Sequence, residues 1–198
     1  FFMKKVFLGW VILLPFYSFS QTVDNSVKPN TKIEKMLKEE GLVLKKDFYD
    51  VIKVGTAFDY IDFNKLVVTD LKSNTQTKGI YMSGYKSGTS SSLSQSGSCY
   101  IDDNKVLGLI EFLELAKEKY KTKETNQVEY NFNLDNLKVT LFNSKNNLNK
   151  MFIGKAEEEF NYWYLTFEIG RIRSADIRLQ NLEDMNLIIT KLKEVDFK

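Results

Sequence analysis

The strand-like segments of this chain come in two groups, and each group is followed by one amphipathic helix. The groups lie within about 48–101 and 128–179. Consecutive strands joined by short turns pair antiparallel, whereas parallel strands need a long crossover between them. The order therefore predicts an α+β domain, in which a two-layer antiparallel sheet carries two amphipathic helices on one face.

Two long helices follow from the spacing of apolar residues. Asp102 or Asp103 can cap a helix over about 105–119, and a second helix is predicted at about 182–195. Apolar residues recur on one face of each at helical spacing: Val106, Leu109, Ile110, Leu113 and Ala116 in one, and Leu182, Met185, Ile189 and Leu192 in the other. A shorter helix at 32–40 is predicted by the Thr31-x-x-Glu34 capping box.

Turn-forming residues divide the remaining chain into strands. The segments 66–71 and 79–82 form a predicted hairpin, and the serine-rich stretch 86–98 is either a mobile loop or a weak polar edge strand. Asn143 to Asn147 is predicted as a turn. The longest predicted strand runs from Phe160 to Arg173, with a bend at Gly170.

The two halves share an order of elements that allows two ββ(β)α repeats. Aligning Leu66 with Leu137 places similar hairpins and similar helix stripes in register, which gives half-repeats at 56–120 and 126–196. The alternative is that hairpins and amphipathic helices look alike in any α+β protein.

The first twenty residues have the layout of a secretory signal peptide. Lys4 and Lys5 form a basic start, Val6 to Phe16 is an apolar run, and Ser18 and Ser20 are small residues before Gln21. The apolar run is shorter than the roughly 20 residues that span a bilayer. We therefore predict cleavage near Ser20 and export to the periplasm or the exterior.

The exported part is predicted to be a flexible leader at 21–30 and a single α+β domain at 31–198. Removing residues 1–20 takes away Lys4 and Lys5, so the 28 basic and 26 acidic side chains of the whole chain become 26 and 26. A balanced charge supplies no long-range attraction to nucleic acid or to anionic membranes. Neither is a predicted partner, and no membrane span is expected after signal removal.

The composition removes several kinds of catalytic and metal site. The chain has no histidine and a single cysteine, Cys99. Nucleophiles activated by histidine, histidine metal sites, thiolate zinc sites and intrachain disulfides are thereby excluded. We predict no metal and no cofactor, and we expect Cys99 to be a buried, inert thiol. The remaining options are carboxylate, lysine or tyrosine chemistry, or binding alone.

The strand Phe160 to Arg173 offers the best candidate surface. Because alternate residues of a strand share a face, Tyr162, Tyr164 and Glu168 lie opposite the apolar side of this strand. Two tyrosines and a carboxylate suit stacking on sugar rings or packing on a protein. The alternative is that the tyrosines only cover an amphipathic sheet.

The three arginines of the chain lie close together, at Arg171, Arg173 and Arg178. Arg171 and Arg173 would point the same way on a strand and could hold a carboxylate or a phosphate. The alternative is pairing with nearby acids such as Glu157–Glu159 or Glu168.

Part of the chain resembles small secreted proteins of unknown function from bacteria of the Bacteroidetes type. The resemblance spans about 98–195. It depends on Tyr100–Asp103 leading into Val106–Leu113, then Val128–Tyr130, a Trp-bearing strand and a last amphipathic helix. It implies a bacterial envelope or exterior setting and supplies no site residues.

These observations favour a non-enzymatic binding or interaction module of the bacterial envelope, with a protein or a glycan as partner. One alternative is a carboxylate-dependent glycan hydrolase, which needs two carboxyl groups facing each other across a cleft. Another is a small protein inhibitor that uses the loop 86–98 as its wedge.

Overall fold

The computed structural model describes residues 30–88, 93–144, 162–170, 175–179 and 181–197. These residues form three helices and eight strands. In chain order they are α1 (Lys32–Lys38), β1 (Leu44–Gly55), β2 (Asp59–Asp70), β3 (Gln76–Lys86), β4 (Gln95–Asp102), α2 (Asp103–Lys119), β5 (Glu129–Leu134), β6 (Leu137–Ser144), β7 (Tyr162–Ile169), β8 (Ala175–Leu179) and α3 (Leu182–Glu194).

The first sheet is an antiparallel meander in the order β1-β2-β3-β4. The predicted hairpin is confirmed, with its first arm forming the end of the longer strand β2 and Thr69 pairing with Gln76 at the turn. Strand β1 has an irregularity between Asp50 and Ile52, where its register against β2 shifts by one residue. Such a bulge bends an edge strand and increases its twist.

The serine-rich stretch contains an edge strand. β4 begins at Gln95 and pairs with β3 along its whole length, so the connecting loop is shorter than the predicted 86–98. The ends of this loop are fixed by hydrogen bonds, because Ser87 N–H donates to Phe58 O at 2.9 Å and Gly88 N–H donates to Ser94 Oγ at 3.1 Å.

The second sheet is also a meander, in the order β5-β6-β7-β8. β7 ends at Ile169, and Gly170 has a φ of +99°, which glycine adopts more readily than residues with a side chain. The predicted bend thus ends the strand, and Arg171 and Arg173 lie outside the described residues.

The turn predicted at 143–147 is wrong at its first two residues, because β6 continues through Ser144. Asn143 belongs to β6 and is fully buried, on the inward row that also holds Leu137, Val139 and Leu141. Its side chain accepts a hydrogen bond from Val128 N–H at 2.6 Å and donates one to Asn126 O at 3.0 Å. These two hydrogen bonds take the place of the bonds that the Asn143 amide would make to water, so this polar group can be buried.

One hydrophobic core joins both sheets to α2 and α3. The inward rows of β2, β3, β6 and β7 contribute fully buried side chains such as Phe63, Met82, Leu141 and Phe167. The buried stripe of α2 agrees with the predicted one and also includes Phe112. In α3, Leu182 lies at the margin of the core and Ile188 is an additional buried residue.

Helix α1 covers part of the opposite face of the first sheet. Ile33 and Met36 pack on Leu66 and Val68 in a second, smaller cluster. The predicted cap is present, since Glu34 N–H donates to Thr31 Oγ1 at 3.0 Å.

The α+β class and the antiparallel pairing are confirmed. The eight strands are divided between two sheets, each a four-stranded meander followed by a helix. A duplicated origin for the two units, and their predicted limits at 56–120 and 126–196, stay predictions. The predicted signal peptide and the leader up to residue 29 lie outside the described residues. Within the described ranges no helix is both long and apolar enough to cross a membrane.

Candidate functional site

The outward face of the second sheet carries three of the five residues predicted as a binding site. Inward-pointing Trp163, Leu165, Phe167 and Ile169 are buried, and the residues between them point outward. Tyr162 is 40% exposed, Tyr164 is half-buried and Glu168 is exposed. The predicted division of β7 into two faces is therefore correct.

An arginine from the neighbouring strand lies on Tyr164. The guanidinium carbon of Arg178 is 3.2 Å from the centre of the Tyr164 ring, and the ring of Phe142 lies 5.3 Å away on the other neighbouring strand. The register supports this placement, because Arg178 pairs with Thr166, two residues from Tyr164 on the same face. A cation over an aromatic face contributes on the order of 0.5–2 kcal/mol and holds both groups in place.

Polar side chains continue this face across β5 and β6. Asn131 Nδ2 donates to Glu129 Oε1 at 2.7 Å, and Thr140 Oγ1 donates to Asn131 Oδ1 at 2.8 Å. Lys138 pairs with Glu168 in the register of β6 and β7. The surface thus combines rigid aromatic rings with fixed polar groups and charges of both signs. We call it the tyrosine–arginine face, defined by Tyr162, Tyr164, Glu168 and Arg178.

Arg178 is the member of this face that the sequence did not assign to it. The alternation of apolar and polar residues from Ala175 to Leu179 indicates a strand. Which strand it pairs with depends on the course of the chain between β7 and β8, and the local pattern does not encode that. Arg171 and Arg173, the arginines that were predicted as part of the site, lie outside the described residues.

A second concave surface lies on the outward face of the first sheet. This open groove of about 510 Å³ lies over β3 and β4 and is bounded by Asn136 in the turn between β5 and β6 and by Gly170 after β7. Gly170 N–H donates to Asn136 O at 2.8 Å, which ties these two rim residues together. The groove was not predicted from the sequence, because its rim residues Asn136 and Gly170 follow strands of the second sheet while its other lining residues belong to the first.

Asp102 and Cys99, for which the sequence predicted a helix cap and a buried thiol, lie in structural environments. Asp102 accepts backbone hydrogen bonds from Lys32 at 2.8 Å and Ile33 at 3.3 Å. Cys99 is 2% exposed, and burial raises the pKa of its thiol to about 12, so it is protonated at neutral pH. Among the residues that the structure describes, no group of three or more cysteine and carboxylate side chains is placed to hold a metal ion. Glu157–Glu159 lie outside them.

No family model matches the chain, and neither a curated protein nor a solved structure matches it significantly. The tyrosine–arginine face and the groove are therefore interpreted from their own chemistry. Both present aromatic rings beside hydrogen-bonding groups, a combination that is common in binding sites.

Proposed function

We propose that this chain is an exported binding module of the bacterial envelope, which holds a partner protein on the tyrosine–arginine face. The observation that carries the proposal is the stacking of Arg178 on Tyr164 at 3.2 Å, beside the exposed ring of Tyr162. Tyrosine and arginine are enriched among the residues that dominate binding energy in protein interfaces. A stacked pair has already lost much of its side-chain freedom, so binding costs less entropy.

The charges favour a protein over a neutral glycan at this face. Charges of both signs lie on this one surface, on Glu129, Lys138, Glu168 and Arg178. Opposite charges that alternate across a surface orient a partner carrying the complementary pattern. The signal-peptide pattern of residues 1–20 supports the envelope as the place where this partner is met.

Site-specific photo-crosslinking in cells tests the face directly. A photoreactive phenylalanine analogue replaces Tyr162 in one strain and Tyr49, a tyrosine of β1 that is more exposed than Tyr162, in a control strain. We expect a discrete protein adduct from position 162 and none from position 49. Equal adducts from both positions, or none from either, would refute the face as the partner site.

The stacked pair is tested in the same assay. Arg178→Ala or Tyr164→Ala should lower the yield of the adduct from position 162 at least tenfold, because each removes one half of the rigid pair. Thr190→Ala, an exposed substitution on α3, is a matched control and should leave the yield unchanged.

Export is tested separately by locating the product. Expression of the full chain with a C-terminal tag, followed by fractionation and N-terminal sequencing, should yield a product in the periplasm or the medium that begins near Gln21. A cytoplasmic product that keeps Met3 would remove the envelope from the proposal.

A further inference from the structure

Among the residues that the structure describes, those that line the groove on the first sheet carry no charge. Its ten lining residues are tyrosines, serines, glycines and Asn136, in a chain in which 27% of the residues are charged. A volume of about 510 Å³ lies in the range of small-molecule sites. From this lining we propose that the groove binds a neutral oligosaccharide.

The outward face places aromatic rows at both ends of a serine row. Tyr85 stacks on Tyr60 with ring centres 5.7 Å apart, and Tyr81 lies 5.5 Å from Tyr100. Between these rows Ser83 pairs with Ser98 in the register of β3 and β4. Tyr81 and Tyr85 are four residues apart on one strand, which separates them by about 13 Å. The groove therefore has room along its length for more than one sugar ring.

The hydrogen-bonding groups suit sugar hydroxyls. A serine hydroxyl and an asparagine amide each donate and accept, as a sugar hydroxyl does. Tyrosine rings offer apolar faces for the C–H side of a sugar and keep a polar hydroxyl at their edge. A charged ligand would lose water here without an ion partner among the described lining residues, which disfavours phosphates and acidic sugars.

In the described part of the chain, charged side chains of both signs stand at the margin of the groove. The Lys53 ammonium lies 3.6 Å from the centre of the Tyr60 ring, and Asp62 pairs with both Lys53 and Ser83 in the strand register. On the other side, Asn136 Nδ2 donates to Glu34 Oε1 at 2.8 Å. These described charges at the rim, Lys53, Asp62 and Glu34, are of opposite sign and partly cancel.

The groove and the tyrosine–arginine face lie on different sheets, so this inference does not depend on the proposed function. Either site can fail while the other is retained. The two tests use different probes and different residues.

Titration calorimetry of the purified full-length protein tests the groove, with maltohexaose, cellohexaose and chitohexaose as neutral probes and a hexamer of galacturonic acid as the charged one. We expect saturable binding of at least one neutral probe and none of the acidic one. Tyr85→Ala should weaken that binding at least tenfold, because it removes one of the stacked rings. Ser98→Trp should abolish it by filling the centre of the groove, at a position that is exposed and tolerates size.

Tyr49→Ala, at an exposed tyrosine of β1, is the control and should bind the neutral probe as the parent protein does. Circular dichroism of each variant checks that the fold is retained. The proposal is overturned if the parent protein binds no neutral probe, if it prefers the acidic one, or if Tyr85→Ala and Ser98→Trp fold and bind unchanged.

Discussion

Asp102 precedes α2 in the chain, yet its carboxylate binds the N-terminus of α1: Oδ2 accepts a 2.8 Å hydrogen bond from the backbone N–H of Lys32. Oδ1 accepts a second, of 3.3 Å, from Ile33. Asp102 makes no side-chain bond to the start of α2, so the predicted cap acts on a helix 70 residues earlier. A carboxylate is also the favourable charge at a helix N-terminus.

Asp102→Ala should release α1 from the sheet. The substitution leaves two backbone N–H groups without their acceptor in a part-buried position, which costs about 1–3 kcal/mol in the free energy of unfolding. A helix of seven residues has little stability of its own, so it depends on this anchor and on the packing of Ile33 and Met36. Urea denaturation and hydrogen exchange of the α1 amides measure the two effects.

The neighbouring acid supplies the control. Asp103 lies 3.8 Å from the Lys32 ammonium, and both side chains are exposed. Such a surface pair contributes about 0–1 kcal/mol, so Asp103→Ala should have little effect on stability. Equal losses for the two variants would show that Asp102 acts as a general surface charge.

Two glycines should respond to alanine in opposite directions. A Cβ at Gly84 would lie 2.6 Å from Cδ1 of Ile177 and 2.7 Å from Cδ1 of Ile169, where the two sheets pack together. Gly84→Ala should therefore lower the free energy of unfolding by about 1–3 kcal/mol through overpacking. A Cβ at Gly108 in α2 would meet Phe132 at 3.4 Å, which is an ordinary contact. Gly108→Ala should therefore raise the free energy of unfolding by about 0.5–1 kcal/mol.

Thermal and urea unfolding measure both glycine variants. The fluorescence of Trp163, a buried side chain whose indole N–H donates to Thr122 O at 2.9 Å, reports the transition. A stabilising Gly84→Ala would mean that the sheets have free space between them at this point.

A single-atom change tests the buried amide of Asn143. In Asn143→Asp, an oxygen replaces the group that donates to Asn126 O, so a buried carboxylate would face a carbonyl. We expect a loss of about 3 kcal/mol or more at neutral pH. The new carboxyl would have a raised pKa, so the folded variant binds more protons than its unfolded state. Its stability should therefore recover, relative to the parent protein, as the pH falls.

Asn143→Ala carries no titrating group and should show a loss that does not depend on pH. Paired urea melts of the two variants at pH 7 and pH 5 separate charge from packing. If Asn143→Asp loses no more free energy of unfolding than Asn143→Ala at pH 7, the site of this amide accommodates a charge, which would contradict the prediction.

The local elements followed from the sequence because their causes are local. The stripes of α2 and α3 and the two faces of β7 depend on periodicity within one segment. Asn143 was assigned to a turn because its neighbours are turn-formers. Its burial depends on Asn126 and Val128, which precede another strand.

The sites were harder to predict for the same reason. Tyr162, Tyr164 and Glu168 were found because one strand carries them all. Arg178 reaches Tyr164 through the pairing of β8 with β7, and Asn136 reaches the groove from the other sheet. No spacing within one segment encodes these contacts.

The last prediction concerns Cys99. Burial raises the pKa of its thiol to about 12, well above the ordinary value of 9.0. Between these two values the folded chain keeps a proton that the unfolded chain loses, so stability falls as the pH rises. The slope approaches about 1.4 kcal/mol per pH unit between pH 10 and 11. Cys99→Ala removes this contribution, so the difference in free energy of unfolding between parent and variant should shrink from pH 8 to pH 11.

In the folded parent protein, iodoacetamide should leave the thiol unmodified at pH 8 until urea unfolds the chain. Rapid alkylation without urea, or a difference between the two proteins that stays constant with pH, would contradict a closed environment around Cys99.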